Sequence, residues 1–273
     1  MNRIDQKIAY LRDSGKKMLS PYITAGDPEP GITVNLMHAL VKAGADILEL
    51  GIPFSDPMAE GPVIQAAMER ALTHGVNCDD VFSMVQEFRL HDMLTPVVLM
   101  GYLNPIEQYG YEQFAKQAQR VGVDGMIIVD LPPEESHDLV PIWQSHGLYN
   151  IYLCSPTTAD RRMELLKDYA HGYLYYVSLK GVTGSDAFDL ASVHTQYQRR
   201  KAQTSLPVMV GFGIKTPEMA ANVASFADGV IVGAALINQI QQAILEKKDG
   251  IQAGAALIND MRRAMDNKGT HDD

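Results

Sequence analysis

Short apolar runs alternate with longer amphipathic stretches from one end of the chain to the other. The runs are MLSPYI (18–23), DILELGI (46–52), PVVLMG (96–101) and GMIIVDL (125–131), followed by NIYLC (150–154), YLYYVS (173–178), PVMVGF (207–212) and GVIVGA (229–234). Most are nearly continuous in apolar residues, the pattern of strands buried on both faces rather than half-exposed ones. Between them lie helical patterns. GITVNLMHALVKAGA sets Ile32, Leu36, Ala39, Leu40 and Ala43 on one face. PPEESHDLVPIWQSHG carries a start signal and stops at Gly147, but Pro141 sits inside it, so this helix is expected to bend or start late. In TPEMAANVASFA, Thr216 is the expected N-cap ahead of Pro217.

Eight strand-then-helix repeats with no linker or composition shift predict an α/β fold, a single (β/α)8 TIM barrel. An open doubly wound sheet is the rival, but no Gly-rich turn follows the first strand. An extra helix is expected before the first strand (2–13), two helices (62–74 and 78–91) fill the gap after the second, and further helix follows the eighth. The domain is expected to span 1–266, with 267–273 a polar, disordered tail.

Composition narrows the function classes. The 273 residues carry a formal net charge of −10, which argues against nucleic-acid or membrane-surface partners but not against a local anion site. Cys78 and Cys154 are far apart, the thiol usage of a reducing compartment. The N-terminus is charged and lacks an apolar signal core, and no run approaches a membrane span, so a cytoplasmic protein is expected. The eight histidines show no metal-ligand spacing. Neither GxSxG, a P-loop nor a strand lysine suited to a Schiff base is present, leaving acid–base chemistry.

In a barrel of this kind the chemistry lies at the C-terminal strand ends. Those positions hold Tyr22, Thr24, Glu49, Gly51, the loop to Glu60, Tyr102, Asn104, Asp130, Thr183, and the glycine pairs around Gly211, Gly213 and Gly233. Glu49, inside ILELG, reads either as a carboxylate paired with a core cation or as a catalytic acid of raised pKa. No basic residue stands among the strand-end positions except Lys180 on a loop and Lys215, which favours the catalytic reading. Glycines after the seventh and eighth strands suit a phosphate held by backbone N–H groups and a helix dipole. LKGVTGSDAF, around Thr183, suits either a lid over substrate or a plain surface turn.

PYITAGDP (21–28), ADILELGIPFSDPMAEGP (45–62), GYLNP (101–105), VDLPPEES (129–136), GVTG (181–184) and GFGI (211–214) resemble the tryptophan synthase α chain family, in order along nearly the whole chain. The resemblance implies retro-aldol cleavage of indole-3-glycerol phosphate to indole and glyceraldehyde 3-phosphate. It implies a partner, the β chain, in a complex of two α and two β chains, with pyridoxal phosphate in β and no cofactor here. Glu49 then matches the proton shuttle, and Glu60 the acid at the indole N–H. Tyr22, Tyr102, Tyr175 and Phe212 match the indole pocket, and Gly184, Gly213, Gly233 and Ala234 the phosphate contacts. Asp56, Asn104 and Thr183 match positions coupling the lid to the partner.

Three positions depart from the family pattern. Glu60 replaces an aspartate and is one methylene longer, Ala234 replaces a serine, and Leu179 an arginine. Misplacement by about 1 Å can cost roughly 10²-fold in rate. A weakly active homologue that mainly binds and activates β, and a stand-alone indole-releasing lyase, are therefore the alternatives to the full α-chain activity.

Overall fold

A computed structural model describes residues 2–178, 190–211 and 213–268. Nine parallel strands form one sheet: β1 (Met18–Thr24), β2 (Leu48–Gly51), β3 (Val97–Gly101), β4 (Gly125–Ile128), β5 (Tyr149–Asn150), β6 (Leu153–Cys154), β7 (Leu174–Val177), β8 (Val208–Gly211) and β9 (Gly229–Val232). Their order is β5-β4-β3-β2-β1-β9-β8-β7-β6.

The sheet ends are two halves of one segment, so the sheet closes on itself as a (β/α)8 barrel whose fifth strand is interrupted. Hydrogen bonds continue on both sides of that segment. Ile151 N donates to Met126 O on the β4 side, and Tyr175 N donates to Tyr152 O on the β7 side. The interruption has a register cause. Asn150 O takes the N–H of His171, whereas Tyr152 O takes that of Tyr175, so four residues advance against two. This is a bulge, centred where Gly172 adopts φ +75°.

Strand residues sort by parity. Met18, Tyr22, Ile47, Val98, Ile127, Tyr173, Met209 and Ile231 pack together in the barrel interior. Neighbours such as Leu19, Leu48, Leu99, Val210 and Val230 pack outward against the helices. That double burial is why the runs read as continuous rather than alternating.

The helices follow the strands. α1 (Arg3–Asp13) precedes them and closes the barrel's N-terminal end with Ile4 and Leu11. α2 (Thr33–Lys42) follows β1, and the second gap holds α3 (Pro62–Thr73) and α4 (Cys78–Arg89), the latter started by an Asn77–Asp80 capping box. α5 (Leu103–Tyr109), which the sequence pattern did not suggest, precedes α6 (Tyr111–Val121). The segment containing Pro141 is a 3-10 turn and then a short α7 (Leu139–Ser145), with the proline in its first turn. α8 (Asp160–Tyr169), α9 (Leu190–Lys201) and α10 (Pro217–Ala224) follow, and Thr216 Oγ1 caps α10 by accepting from Met219 N at 3.2 Å. After β9 come α11 (Ala234–Leu245) and α12 (Gly250–Lys268), so helix continues two residues into the expected tail. No helix among the described residues is long and apolar enough to cross a membrane.

At the N-terminal end, three aspartates staple neighbouring strands. Oδ2 of Asp46 accepts from Leu19 N (3.0 Å), that of Asp124 from Val97 N (2.9 Å) and that of Asp228 from Val208 N (2.8 Å). Each also pairs with a cation from a helix: Arg262 for Asp46, Arg89 and Arg3 for Asp124, Lys201 for Asp228.

Candidate active site

Glu49 lies inside β2 with its side chain turned into the barrel, opposite Tyr22 of β1 and Val98 of β3. It is completely buried. Tyr173 Oη donates to Oε1 at 2.8 Å, and Oε2 has no partner. Burial pushes its pKa up to about 8; the Tyr173 hydrogen bond and the nearby Ser20 hydroxyl oppose the rise without cancelling it. Ser20 forms no well-aligned bond, since its Oγ is itself unpartnered. Among the described residues no cation acts on Glu49, so none of them supports the core-ion-pair reading.

Glu60 sits on the loop after β2, just before Pro62 starts α3. Burial alone raises it to about 7. Its loop is held at two neighbouring residues: Gln65 Nε2 donates to Glu60 O at 2.8 Å, and Tyr102 Oη accepts from Ala59 N at 3.1 Å. Tyr102 in turn stacks on Phe54 with ring centroids 5.3 Å apart. It thus fixes the acid's loop as well as facing the site.

The fields of both carboxyls reach Tyr22 and Tyr175 and raise their phenols far above the usual range, burial being the larger cause. These two tyrosines are therefore within reach of both acids. Glycine makes room for each. A Cβ on Gly51 would lie 2.1 Å from Tyr22 Oη, and one on Gly211 would lie 2.4 Å from Tyr175 Oη. Each ring lies over the glycine of the neighbouring strand, where a larger residue would collide with it.

Gly213, at φ +82°, follows β8, and Gly233 ends β9 as the N-cap of α11. Gly233 O already accepts from Leu236 and Ile237, so the earlier amides of this helix, including that of the exposed Ala234, form an anion-favouring end beside Gly213. Asp56 and Asn104 stand apart from this cluster on the exposed surface, Asp56 accepting from Ser55 Oγ. Asp130, another strand-end acid, is spoken for: it accepts from Leu103 N at 2.8 Å and starts α5. Phe212, Thr183, Gly184, Leu179 and Lys180 lie outside the described residues.

Tyr22 and Thr24 prove to lie within β1 rather than past it. Two further polar groups of the interior, Tyr173 and Ser20, escape a search confined to strand ends. Parity would have found them, since each lies two residues before a candidate tyrosine on the same strand face.

Residues 8–266 match the family model described as tryptophan synthase alpha chain. The chain belongs to the tryptophan synthase alpha chain family. Among curated relatives, the tryptophan synthase alpha chain of Legionella pneumophila (strain Lens) is 67% identical over 270 residues, covering 99% of each chain. That of Thioalkalivibrio sulfidiphilus is 55% identical over 242 residues, 89% of this chain and 91% of the relative. The crystal structure of tryptophan synthase subunit alpha from Legionella pneumophila str. Paris superposes with a TM-score of 0.94 at 65% identity, covering 98% of this chain and 99% of that one. Family membership makes this chain a lyase of tryptophan biosynthesis.

Proposed function

We propose that the chain performs the family's α reaction, retro-aldol cleavage of indole-3-glycerol phosphate, with Glu49 and Glu60 as the acting carboxyls. The carrying observation is the completely buried Glu49, raised to about 8 with one oxygen free and no cation acting on it among the described residues. A carboxyl in that setting is protonated at neutral pH and still able to give up its proton.

Glu49 delivers its proton to indole C3. The positive charge that appears on the ring nitrogen is met by the Glu60 carboxylate. Glu49, now ionised, takes the proton of the C3′ hydroxyl as the C3–C3′ bond breaks. The bond's electrons return to the ring, releasing indole and glyceraldehyde 3-phosphate and leaving Glu49 protonated again. Tyr22, Tyr175 and Phe212 flank the indole. The phosphate rests on the backbone N–H groups of Gly184, Gly213, Gly233 and Ala234 at the start of α11.

Every proton in this scheme moves through a carboxyl of this chain, so the reading assigns it no cofactor. The exposed Asp56 and Asn104, with Thr183, are the side assigned to a β chain carrying pyridoxal phosphate, two α and two β chains assembling together. Residues 1–266 then work as one barrel domain in the cytoplasm.

The test is indole release from indole-3-glycerol phosphate, with and without β chain, by the parent, Glu49→Gln, Glu60→Gln and Glu60→Asp. Both glutamine variants are expected to lose at least about 10²-fold, the usual scale of acid–base catalysis, while Glu60→Asp keeps much of the activity. Unchanged turnover in Glu60→Gln would sink its assignment. A parent inactive even with β would favour the activator role, and full activity indifferent to β the stand-alone lyase.

A further inference from the structure

The barrel interior holds a buried hydroxyl that the proposed chemistry leaves unused. Ser20 is completely buried in β1, in a run that is otherwise apolar apart from the terminal threonine, and its Oγ has no hydrogen-bond partner. Glu49 Oε2 is likewise buried and unpartnered. Parallel register sets Tyr22 opposite Glu49, so Ser20, two residues earlier on the same face, lies one step deeper in the barrel. The two groups sense each other, for the Ser20 hydroxyl opposes the rise of the Glu49 pKa. Leaving a buried hydroxyl unpaired costs roughly 1–3 kcal/mol. Alanine would occupy the same place without that cost, so packing gives no reason for a serine.

We propose that Ser20 is a positioning residue for Glu49: its hydroxyl is the partner that Oε2 finds when the carboxyl turns about its last torsion, and it holds the group between its two proton transfers. That torsion is broad, so the turn is easy. Oε1 is held by Tyr173, so a partial turn tilts Oε1 on the tyrosine hydroxyl while it brings the unpartnered Oε2 toward Ser20. A hydroxyl suits both halves of the cycle, since it donates to a carboxylate and accepts from a carboxylic acid. Among the described residues, the other titratable groups facing Glu49 are Tyr22 of β1 and Tyr173 and Tyr175 of the β7 segment, while β3 presents Val98. None of these replaces the serine as a partner for Oε2.

The inference rests on Glu49 as the proton shuttle. Its test is the pH dependence of kcat/KM for indole release, with β chain present, in the parent, Ser20→Ala, Ser20→Thr and Glu49→Gln. Removing a donor to the carboxylate favours the acid form. The alkaline limb of Ser20→Ala is therefore expected to move up by about one pH unit, the scale of one charge-assisted hydrogen bond. KM should stay unchanged, because Ser20 lies away from the strand ends that hold the phosphate. Ser20→Thr, which keeps the hydroxyl, should keep the parent's limb. An alkaline limb in Ser20→Ala at the parent's position would overturn the proposal, as would a Ser20→Thr limb displaced as far as that of Ser20→Ala. Undiminished turnover in Glu49→Gln would instead remove the shuttle reading beneath it.

Discussion

The two ends of this barrel treat buried carboxyls in opposite ways. At the N-terminal end, Asp46 and Asp124 are 9% and 3% exposed, and each accepts a strand N–H and faces a guanidinium. Burial raises both, but Arg262 and Arg89 pull them back toward the ionised form. Toward the C-terminal end, among the described residues, Glu49 meets one tyrosine hydroxyl and no cation, Glu60 is perturbed by burial alone, and they rise to about 8 and about 7. Depth is therefore not what separates structural from chemical acids in this fold. The distinction lies in what surrounds them: an acid with a cation and a backbone donor joins strands, and the acids with neither are the ones proposed to move protons.

The sharpest way to break that contrast is at Asp124. Arg89 is itself only 7% exposed, so Asp124→Ala leaves a desolvated guanidinium without its counter-ion. Losing one partner of a buried pair costs about 3–5 kcal/mol, to be read from denaturant unfolding, with turnover per folded molecule unchanged. A cost below about 1 kcal/mol would class the staple with ordinary surface pairs.

Glu49→Gln should act with the opposite sign. The carboxyl's pKa goes from 4.5 in the unfolded chain to about 8 in the folded one. Folding between those values takes up a proton, so stability is highest below pH 4.5 and falls as pH rises toward 8. By pH 7 the loss reaches about 3 kcal/mol. Glutamine removes the titration, so the variant should gain up to about 3 kcal/mol at pH 7 and almost nothing at pH 4. Unfolding curves at the two pH values decide it, and an equal effect at both would mean that the carboxyl is not carrying the difference.

How far these roles could be read from sequence depends on whether the signal is local. All eight apolar runs contain barrel strand, and the helices before β1 and after β2 lie where capping and periodicity place them. Glu49 stands out because an acid inside an apolar run is unusual. The split of the fifth strand was not legible, because it arises from the offset of His171 and Tyr175 against Asn150 and Tyr152. The staples were half-legible. GAD, GVD and FAD precede β2, β4 and β9 as a visible repeat, yet their cations come from helices as distant as Arg262 in α12. The apolar run that starts at Asp46 accordingly overshoots a strand that begins at Leu48. Tyr173 is illegible for a related reason, since its partner Glu49 is 124 residues away.

The gentlest test of the contrast is the pH–rate profile of the intact enzyme. The cycle starts with Glu49 protonated and Glu60 ionised. Activity should therefore fall below the Glu60 pKa near 7 and above the Glu49 pKa near 8, giving a narrow bell in kcat/KM. The limbs belong to the pair of acids as a unit rather than to either alone. Each limb should fall about tenfold per pH unit. The aspartates of the N-terminal end should leave no mark on it, since they bind strand N–H groups at the end of the barrel away from the two glutamates. Residual turnover in Glu49→Gln should lose the alkaline limb and keep the acid one. A profile flat between pH 6 and 9 (roughly the span within which both limbs must fall) would show that the unpaired acids do not gate the reaction, and the division between the two ends would then be one of packing alone.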